Sequence, residues 1–315
     1  MSHTKPTILF ASTTFSEAPW IARIKSCAPE RVVVTKPDPS VEYALMWKHE
    51  HGSLKNLNQL KVIFSLGAGV DHILDDPDLP NVTIVRAVSP DLTARMSEYV
   101  VWQVLDHHRK GRHFRALQQA SDWQNSDYQP AASAIKVGVL GLGELGQDSA
   151  FKLNALGFDV SGWSRSPKQI PSIDCHHGKD GLDTFLSQVD ILVCLLPHTE
   201  ETTGILNQVL FSKLKTSGPL GAPILINAGR GALQVETDIL TALDQNVLGA
   251  ASLDVFEQEP LAAHSPLWAH PKVTVTPHVA ADSDPDALIG KIIEQMIAFE
   301  NGEQLQNLID LNLGY

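Results

Sequence analysis

The chain has 315 residues, of which 43% are hydrophobic and 19% charged, and its formal net charge is -12 at pH 7. The composition is typical of a folded enzyme, and the length predicts two domains. The acidic balance argues against a nucleic-acid partner, which would need a basic face. Three widely separated cysteines, Cys27, Cys175 and Cys194, predict reduced thiols. Without a signal-peptide pattern or a bilayer-spanning apolar segment, we expect a cytoplasmic protein with no membrane partner.

Short apolar runs alternate with polar stretches of helical character through the first hundred residues. The runs cover residues 7–10, 31–34, 61–66 and 82–86. Each has the length and the branched side chains of a buried strand. The alternation therefore predicts a parallel sheet covered by helices.

A long helical pattern follows from about residue 92 to residue 112. We expect its apolar side chains Met96, Tyr99, Val100 and Leu105 to form the inner face of a helix. A polar stretch then leads into a second alternation.

The second alternation has the same strand, helix, strand order as the first. Its predicted strands cover residues 136–140, 159–163, 191–195, 224–227, 249–253 and 273–276. A last helix, from residue 285 to about 300, cannot form a domain alone, so we expect it to pack on the N-terminal domain. The predicted fold is therefore α/β, with two doubly wound parallel-sheet domains. One combines residues 1–98 with 284–315, and the other covers 99–283.

A glycine-rich turn lies between the first strand and first helix of the second domain. A G-x-G-x-x-G pattern alone is weak evidence and can be a structural turn, but here it has the strand before and the helix after that the motif requires. Its glycines permit a tight turn, close approach to a pyrophosphate and close helix packing, and the helix N-terminus supplies free amides. We therefore predict a Rossmann dinucleotide-binding domain. The predicted cofactor contacts of the turn are Gly141, Gly143, Glu144, Leu145 and Gly146.

The end of the second strand predicts which nicotinamide cofactor is preferred. NAD-specific sites place an acid here to accept from the ribose 2′-hydroxyl, and this chain has Ser164 instead. Arg165 can bond a 2′-phosphate and stack on adenine, with Lys168 as a helper. We predict a preference for NADPH, with NADH as a possible cofactor; the alternative is that Arg165 is an ordinary surface residue. The predicted contacts are Trp163, Ser164, Arg165 and Ser166.

Three further signatures carry a cation, a carboxylate and an imidazole. They cover residues 226–231, 253–260 and 275–280 and contain Arg230, Glu259 and His278, respectively. Each residue alone is weak evidence, but all three follow predicted strands, so they can converge at the carboxyl edge of one sheet.

Hydride transfer to a 2-keto acid requires these three groups. Negative charge builds on the carbonyl oxygen, and the imidazole of His278 suits its protonation. Glu259 is the candidate neighbour that fixes the ring tautomer and favours the charged ring. The planar guanidinium of Arg230 matches a substrate carboxylate and can polarise the keto oxygen.

These signatures and the glycine turn resemble the D-isomer-specific 2-hydroxyacid dehydrogenase family. Within it, the chain is similar to the bacterial A-type glyoxylate/hydroxypyruvate reductases, over nearly its whole length. The resemblance implies a flavodoxin-like substrate domain, completed by the C-terminal helix, beside the Rossmann domain. It assigns Arg230, Glu259 and His278 to catalysis, with His278 as the proton donor. It also implies a homodimer formed through the helix near residues 96–112.

The resemblance implies further contacts for substrate and cofactor. Arg230 and His278 would contact both, and Asp254 would accept from the nicotinamide carboxamide. The amides that would hold the substrate carboxylate are those of Leu66, Gly67, Ala68 and Gly69. The residues that would line the path of the cofactor are Leu195, Leu196, Pro197, Thr203, Ala228 and Gly229.

Trp47 bears on the size of the substrate. It lies where similar reductases place a bulky residue over the substrate, which would favour short substrates such as glyoxylate and hydroxypyruvate. A core or interface tryptophan is the alternative. We predict no metal site, because adjacent histidines such as His107 and His108 on a helix do not face the same way. His176 and His177 are predicted in a polar loop.

The sequence thus predicts an NADPH-dependent reductase of short 2-keto acids that gives the D-hydroxy acid. A reductase of larger 2-keto acids is an alternative within the same class. A nucleotide-sensing, corepressor-like regulator on the same fold is an alternative from another class. A methyltransferase is less favoured, because it would leave Arg230, Glu259 and His278 unexplained.

Overall fold

The structure is a computed structural model that describes residues 6–124, 128–311 and 314. The strands are β1 Thr7–Ser12, β2 Val33–Val34, β3 Val41–Trp47, β4 Val62–Ser65, β5 Thr83–Val85, β6 Lys136–Leu140, β7 Asp159–Ser164, β8 Asp174–His177, β9 Ile191–Cys194, β10 Ile224–Asn227, β11 Ala250–Leu253 and β12 Val273–Val275. The α-helices are α1 Glu17–Cys27, α2 Asp71–Leu74, α3 Pro90–His108, α4 Gly111–Gln119, α5 Glu144–Ala155, α6 Gly178–Leu186, α7 Gln208–Phe211, α8 Glu236–Asp244 and α9 Pro285–Glu300. Single turns of 3-10 helix cover Ala132–Ala134, Gly231–Leu233 and Pro266–Trp268.

The chain divides into two compact units. Unit 1 contains the described residues up to Leu92 and those from Asp282 onward, and unit 2 is Thr93–Ala281. The first division falls within α3, as does the domain boundary predicted between residues 98 and 99. The assignment of residues 1–98 and 284–315 to a substrate domain, and of residues 99–283 to a cofactor domain, remains a prediction.

Unit 1 is built on a five-stranded parallel sheet of order β2-β1-β3-β4-β5. This is the doubly wound order of flavodoxin-like folds. Successive side chains alternate between two cores, with Ile8 and Phe10 in one and Leu9 in the other, as expected for a sheet buried on both faces.

The C-terminal helix α9 completes unit 1. Leu288, Ile292 and Met296 pack in the same core as Ile8 and Ile24. The predicted return of this helix to the N-terminal sheet is therefore observed. Its last residue, Glu300, accepts two hydrogen bonds from Arg31, at 2.7 and 2.9 Å.

Unit 2 is built on a seven-stranded parallel sheet of order β12-β11-β10-β9-β6-β7-β8. The order reverses between β6 and β9, which leaves a crevice at their carboxyl ends, where ligands bind in doubly wound sheets. α3 covers one face, and its predicted inner residues Met96, Tyr99, Val100 and Leu105 pack in the core. The prediction of two parallel-sheet α/β domains is confirmed.

The predicted elements differ from those of the structure in three places. The sequence patterns missed β3 and β8, and they joined α3 and α4 into one helix to residue 112. That helix ends at His108, and Lys110 adopts a left-handed conformation with φ 55° before α4 begins. His176 and His177, predicted in a loop, lie on β8, which pairs with β7.

Among the described residues, no α-helix combines the length and the apolar character needed to cross a bilayer.

Candidate active site

The glycine turn joins β6 to α5, as its sequence predicts. Gly141 has a φ of 111°, which favours glycine, and a Cβ on Gly146 would lie 1.8 Å from the carbonyl oxygen of Gly141. A Cβ on Gly143, by contrast, would meet no atom within 4 Å. Close packing therefore requires glycine at position 146, whereas the space beside Gly143 is open. With Glu144 and Leu145 in the first turn of α5, this geometry fits a bound pyrophosphate.

The end of β7 carries no carboxylate. Ser164 is buried, and its hydroxyl donates to the carbonyl oxygen of Ser166 at 2.8 Å. The indole of Trp163 donates to the carbonyl oxygen of Gly178 at the start of α6, also at 2.8 Å. Arg165 is exposed. This segment therefore presents a guanidinium, and no acid, where an adenosine ribose would lie.

The segment after β9 borders the glycine turn. Leu195 donates from its backbone to Leu140, and its carbonyl oxygen would lie 2.9 Å from a Cβ on Gly141. Leu196 and Pro197 follow, and the hydroxyl of Thr203 donates to the carbonyl oxygen of Thr199 at 2.8 Å. The predicted lining residues therefore follow β9, next to the reversal in strand order.

Arg230 lies in the turn that follows β10. The buried Asn227 closes this turn, since its side-chain oxygen accepts from the amide of Gly229 and its nitrogen donates to the carbonyl oxygen of Arg230, both at 3.1 Å. The Arg230 guanidinium donates to the carbonyl oxygen of Gly229 at 2.8 Å. Ala228 and Gly229 leave the strand directly before it, so the cation lies at the carboxyl edge of the sheet.

His278 and Glu259 form a hydrogen-bonded pair. The Nδ1 atom of His278 lies 2.8 Å and 3.0 Å from the two carboxylate oxygens of Glu259. Their side chains are 33% and 20% exposed, respectively, so the pair is sheltered but accessible. Glu259 also accepts from the amide of Phe256 at 3.2 Å, which fixes the carboxylate to the segment after β11.

Asp254 holds the backbone around His278. Its buried carboxylate accepts from the amides of Val279 and Ala280 at 3.0 and 2.9 Å and from the Thr276 hydroxyl at 2.6 Å. His278 itself has a φ of 55°, a strained value for a residue with a side chain, and it donates from its backbone to the carbonyl oxygen of Asp254. Asp254 thus fixes the conformation from which the imidazole projects.

The sequence patterns missed two supports of this segment. The Tyr99 hydroxyl lies 2.9 Å from that of Thr276, which in turn donates to Asp254. Burial raises the pKa of Tyr99 above its ordinary value, so the phenol stays neutral. Thr276 belongs to the signature at residues 275–280, but no local pattern indicates its partners.

The structure brings the three predicted catalytic residues to neighbouring strands of one sheet. Arg230, Glu259 and His278 follow β10, β11 and β12, respectively, which are adjacent and parallel. A Cβ on Gly231 would lie 1.9 Å from the carbonyl oxygen of Phe256, so the Arg230 turn lies directly against the segment that leads to Glu259.

The remaining predicted contacts belong to unit 1. The Ser65 hydroxyl interacts with the carbonyl oxygens of Gly67 and Gly69, at 2.9 and 3.0 Å, and so shapes the 66–69 loop, which contains Leu66 and Ala68. Trp47 packs on this loop, because a Cβ on Gly67 would lie 2.2 Å from its ring. The Trp47 ring is also stacked on Phe15, with centroids 6.0 Å apart, and meets the edge of His72 at 4.4 Å.

No cluster of three or more potential metal ligands among His, Cys, Asp and Glu occurs in the part of the chain that the structure describes.

Comparison with known proteins is consistent with this geometry. Residues 101–280 match the family model described as the D-isomer specific 2-hydroxyacid dehydrogenase, NAD binding domain. Glyoxylate/hydroxypyruvate reductase A of Serratia proteamaculans (strain 568) is 40% identical, over 98% of this chain and 99% of that protein.

Two solved structures with a similar fold contain NADP. The NADPH-dependent glyoxylate/hydroxypyruvate reductase of Sinorhizobium meliloti, in complex with NADP and sulfate, has a TM-score of 0.94 and 45% identity, over 99% of this chain and 100% of that one. A probable 2-hydroxyacid dehydrogenase of Rhizobium etli CFN 42, in complex with NADP, HEPES and L(+)-tartaric acid, has a TM-score of 0.92 and 44% identity, again over 99% and 100%.

Proposed function

Since this chain belongs to the D-isomer specific 2-hydroxyacid dehydrogenase family, we propose that it reduces short 2-keto acids, such as glyoxylate and hydroxypyruvate, to D-2-hydroxy acids with NADPH. The observation that carries this proposal is the hydrogen-bonded pair of His278 and Glu259 beside the turn of Arg230. Imidazole, carboxylate and guanidinium are the groups that carbonyl reduction of a keto acid requires.

His278 is the proton donor in this proposal. Bound NADPH supplies the hydride, and negative charge then develops on the carbonyl oxygen of the substrate. With Nδ1 hydrogen-bonded to Glu259, the ring in its protonated form presents its second proton on Nε2. Glu259 keeps the ring oriented. General acid catalysis of this kind contributes about 10²- to 10⁴-fold in rate.

Arg230 binds and polarises the substrate. Its planar guanidinium pairs with the carboxylate of the keto acid and withdraws charge from the keto oxygen. The backbone amides of the 66–69 loop also bind the carboxylate of a 2-keto acid. Both roles are proposed from the residues and the family, and both require an anionic substrate.

The cofactor preference follows from the end of β7. Ser164 replaces the acid that would repel a 2′-phosphate, and the exposed Arg165 provides a cation for it. The glycine turn and the segments after β9 and β10 bind the pyrophosphate and ribose. Asp254, which already accepts three hydrogen bonds, has one remaining lone-pair site for the nicotinamide carboxamide.

We also propose a homodimer formed through α3 and α4. α4 has no buried residue, although its sequence is strongly amphipathic, and the aromatic side chains of Trp102 and Phe114 are exposed on the two helices. Exposed apolar faces of this kind are typical of association surfaces.

A side-by-side assay tests the activity and the cofactor preference. Consumption of NADPH or NADH is followed by absorbance after addition of glyoxylate, hydroxypyruvate or longer 2-keto acids. We expect turnover with the two short acids and a higher kcat/KM with NADPH. Equal or better efficiency with NADH would contradict the cofactor assignment. Binding of NADPH without turnover of any 2-keto acid would contradict the proposed enzyme and favour a nucleotide sensor.

A further inference from the structure

We propose that Gln234 is a positioning residue that locks the turn of Arg230 to the segment carrying Glu259. Its carboxamide hydrogen-bonds to both Asn227 in the first turn and Val255 in the second segment. This inference rests on the proposed catalytic roles of Arg230, Glu259 and His278, and it adds a residue that touches none of the reacting atoms.

The first half of the connection is made by two buried amides. Asn227 and Gln234 are 0% and 1% exposed, respectively. The side-chain nitrogen of Asn227 donates to the Gln234 side-chain oxygen at 2.9 Å as well as to the carbonyl oxygen of Arg230. The side chain of Gln234 is therefore connected to the Arg230 backbone through a single residue.

The second half reaches the acid and the imidazole. The side-chain nitrogen of Gln234 donates to the carbonyl oxygen of Val255 at 2.9 Å. The next residue, Phe256, donates its amide to Glu259, which is bonded to His278. A continuous series of contacts thus runs from the guanidinium-bearing turn to the proposed proton donor.

Only a carboxamide can make this connection. It must accept from Asn227 and donate to Val255, and a Gln side chain provides both groups from one carbon. An ionised carboxylate accepts only, and an apolar side chain of the same length does neither. Loss of the contact would also leave the carbonyl oxygen of Val255 and the amide of Asn227 buried without this partner.

The close approach at Gly231 explains why a displacement of the Arg230 turn would also displace the segment that leads to Glu259. There is no room for even a Cβ between Gly231 and the carbonyl oxygen of Phe256. The Arg230 turn therefore cannot shift toward the Phe256 segment unless that segment shifts as well. A displacement of about 1 Å in a catalytic group can reduce the rate about 10²-fold. Gln234 fixes the register of two segments whose side chains must converge.

Kinetics of Gln234→Met in the full chain test the proposal. We expect kcat/KM for glyoxylate to fall about 10- to 100-fold, mostly through kcat, because alignment of the reacting groups is lost. The NADPH dissociation constant, measured by quenching of protein fluorescence, is expected to change much less than kcat/KM, because the glycine turn between β6 and α5 is untouched. Gln103→Met is the matched control, because it removes another buried carboxamide of unit 2, one bonded to Ser252, and should keep wild-type kcat/KM.

Gln234→Glu provides a second variant should the first not fold. It keeps the length and the acceptor but loses the donor to Val255, so a loss of kcat is again expected. Wild-type kcat/KM in either folded variant would overturn the proposal.

A double-mutant cycle separates positioning from general stability. Glu259→Gln and Gln234→Met should reduce kcat/KM together by less than the product of their separate effects, because they act through the same segment. Fully multiplicative effects would show independent action and overturn the proposal. If the wild type reduces 2-keto acids and the Gln234 variants keep its kcat/KM, this inference alone is contradicted. A wild type with no 2-keto acid reductase activity would contradict the proposed function as well.

Discussion

The two ring nitrogens of His278 have separate tasks. Nδ1 is bonded to the carboxylate of Glu259, and this contact selects Nε2 as the atom that can give a proton to the substrate. The bonds from the amides of Val279 and Ala280 to Asp254 hold the backbone in a conformation that is otherwise unfavourable. The orientation of the ring and the conformation of the backbone that carries it are therefore set by different residues.

Replacing His278 by alanine should remove the proton donor and leave the cofactor site intact. We expect kcat/KM for glyoxylate to fall by about 10²- to 10⁴-fold, the usual contribution of general acid catalysis, with a nearly unchanged dissociation constant for NADPH. Glu259→Gln is the companion variant. It keeps a hydrogen-bond acceptor beside Nδ1 but not the charge, so its loss should be smaller. Wild-type turnover in His278→Ala would require a different donor.

Trp47 is held on three sides, by Phe15, His72 and the backbone of Gly67. A ring fixed in this way can act as a wall that limits the length of a substrate. Trp47→Ala should therefore raise kcat/KM for longer 2-keto acids relative to glyoxylate, as measured with a series of substrates of increasing chain length. Trp268→Ala, which removes a half-exposed tryptophan of unit 2, should leave the ratio unchanged. An unchanged ratio in Trp47→Ala would refute its role as a wall.

At the scale of single residues, sequence patterns indicated the ionisable side chains proposed for catalysis but not the polar side chains that hold their backbone in place. Arg230, Glu259 and His278 stand out because charge follows a strand in each case. Gln234 carries no such signal, because its importance depends on Asn227 and Val255 meeting across two turns. Hydrogen bonds between distant segments leave no periodicity to detect.

Among the elements, α3 combines an apolar face with a row of polar contacts to the strands beneath it. Tyr99, Gln103 and His107 are spaced by four residues and so share one side of the helix. Tyr99 contacts Thr276, while Gln103 and His107 both contact the Ser252 hydroxyl in β11, at 2.7 and 2.8 Å. The helix is therefore fixed in register by polar pairs as well as by packing.

His107 should make the unfolding free energy depend on pH. Burial lowers its pKa from 6.5 to about 4, so between these values the unfolded chain binds a proton that the folded chain does not. The unfolding free energy should thus fall as pH decreases from 6.5 to about 4, by at most about 1.4 kcal/mol per pH unit from this residue. Urea denaturation of the wild type and His107→Gln across this range measures the effect.

The glutamine variant keeps a donor for Ser252 but cannot titrate, so its dependence on pH should be weaker than that of the wild type. His113→Gln, on the exposed part of α4, serves as the control and should follow the wild type. Identical slopes for wild type and His107→Gln would show that another group carries the dependence.

The elements that were predicted wrongly have physical explanations. β8 has the sequence Asp174-Cys175-His176-His177 and forms the edge of its sheet, so it lacks the apolar run that marks a buried strand. β3 is central and mostly buried, and its apolar residues are typical of a strand, so its sequence does indicate the element that the prediction lacked. The break between α3 and α4 occurs at Lys110, a residue whose left-handed backbone no sequence rule indicates.

At the scale of the whole molecule, the proposed dimer can be tested by light scattering. We expect the purified protein to have twice the mass of the chain. Combining Trp102→Asp with Phe114→Asp places charges on the exposed faces of α3 and α4 and should yield monomers, because burying unpaired charges is costly. Trp268→Asp is the control and should remain dimeric. A wild-type protein of single-chain mass would contradict the proposal.

The contribution of α9 to the core of unit 1 constrains the order in which the protein can fold during synthesis. The first sheet leaves the ribosome early, yet Leu288, Ile292 and Met296, which cover part of it, are translated only after the whole of unit 2. Unit 2 is one uninterrupted stretch and can mature while the nascent N-terminal strands still expose apolar surface. The earliest residues are therefore the part of the chain whose packing stays incomplete longest, until the contact of Glu300 with Arg31 can form.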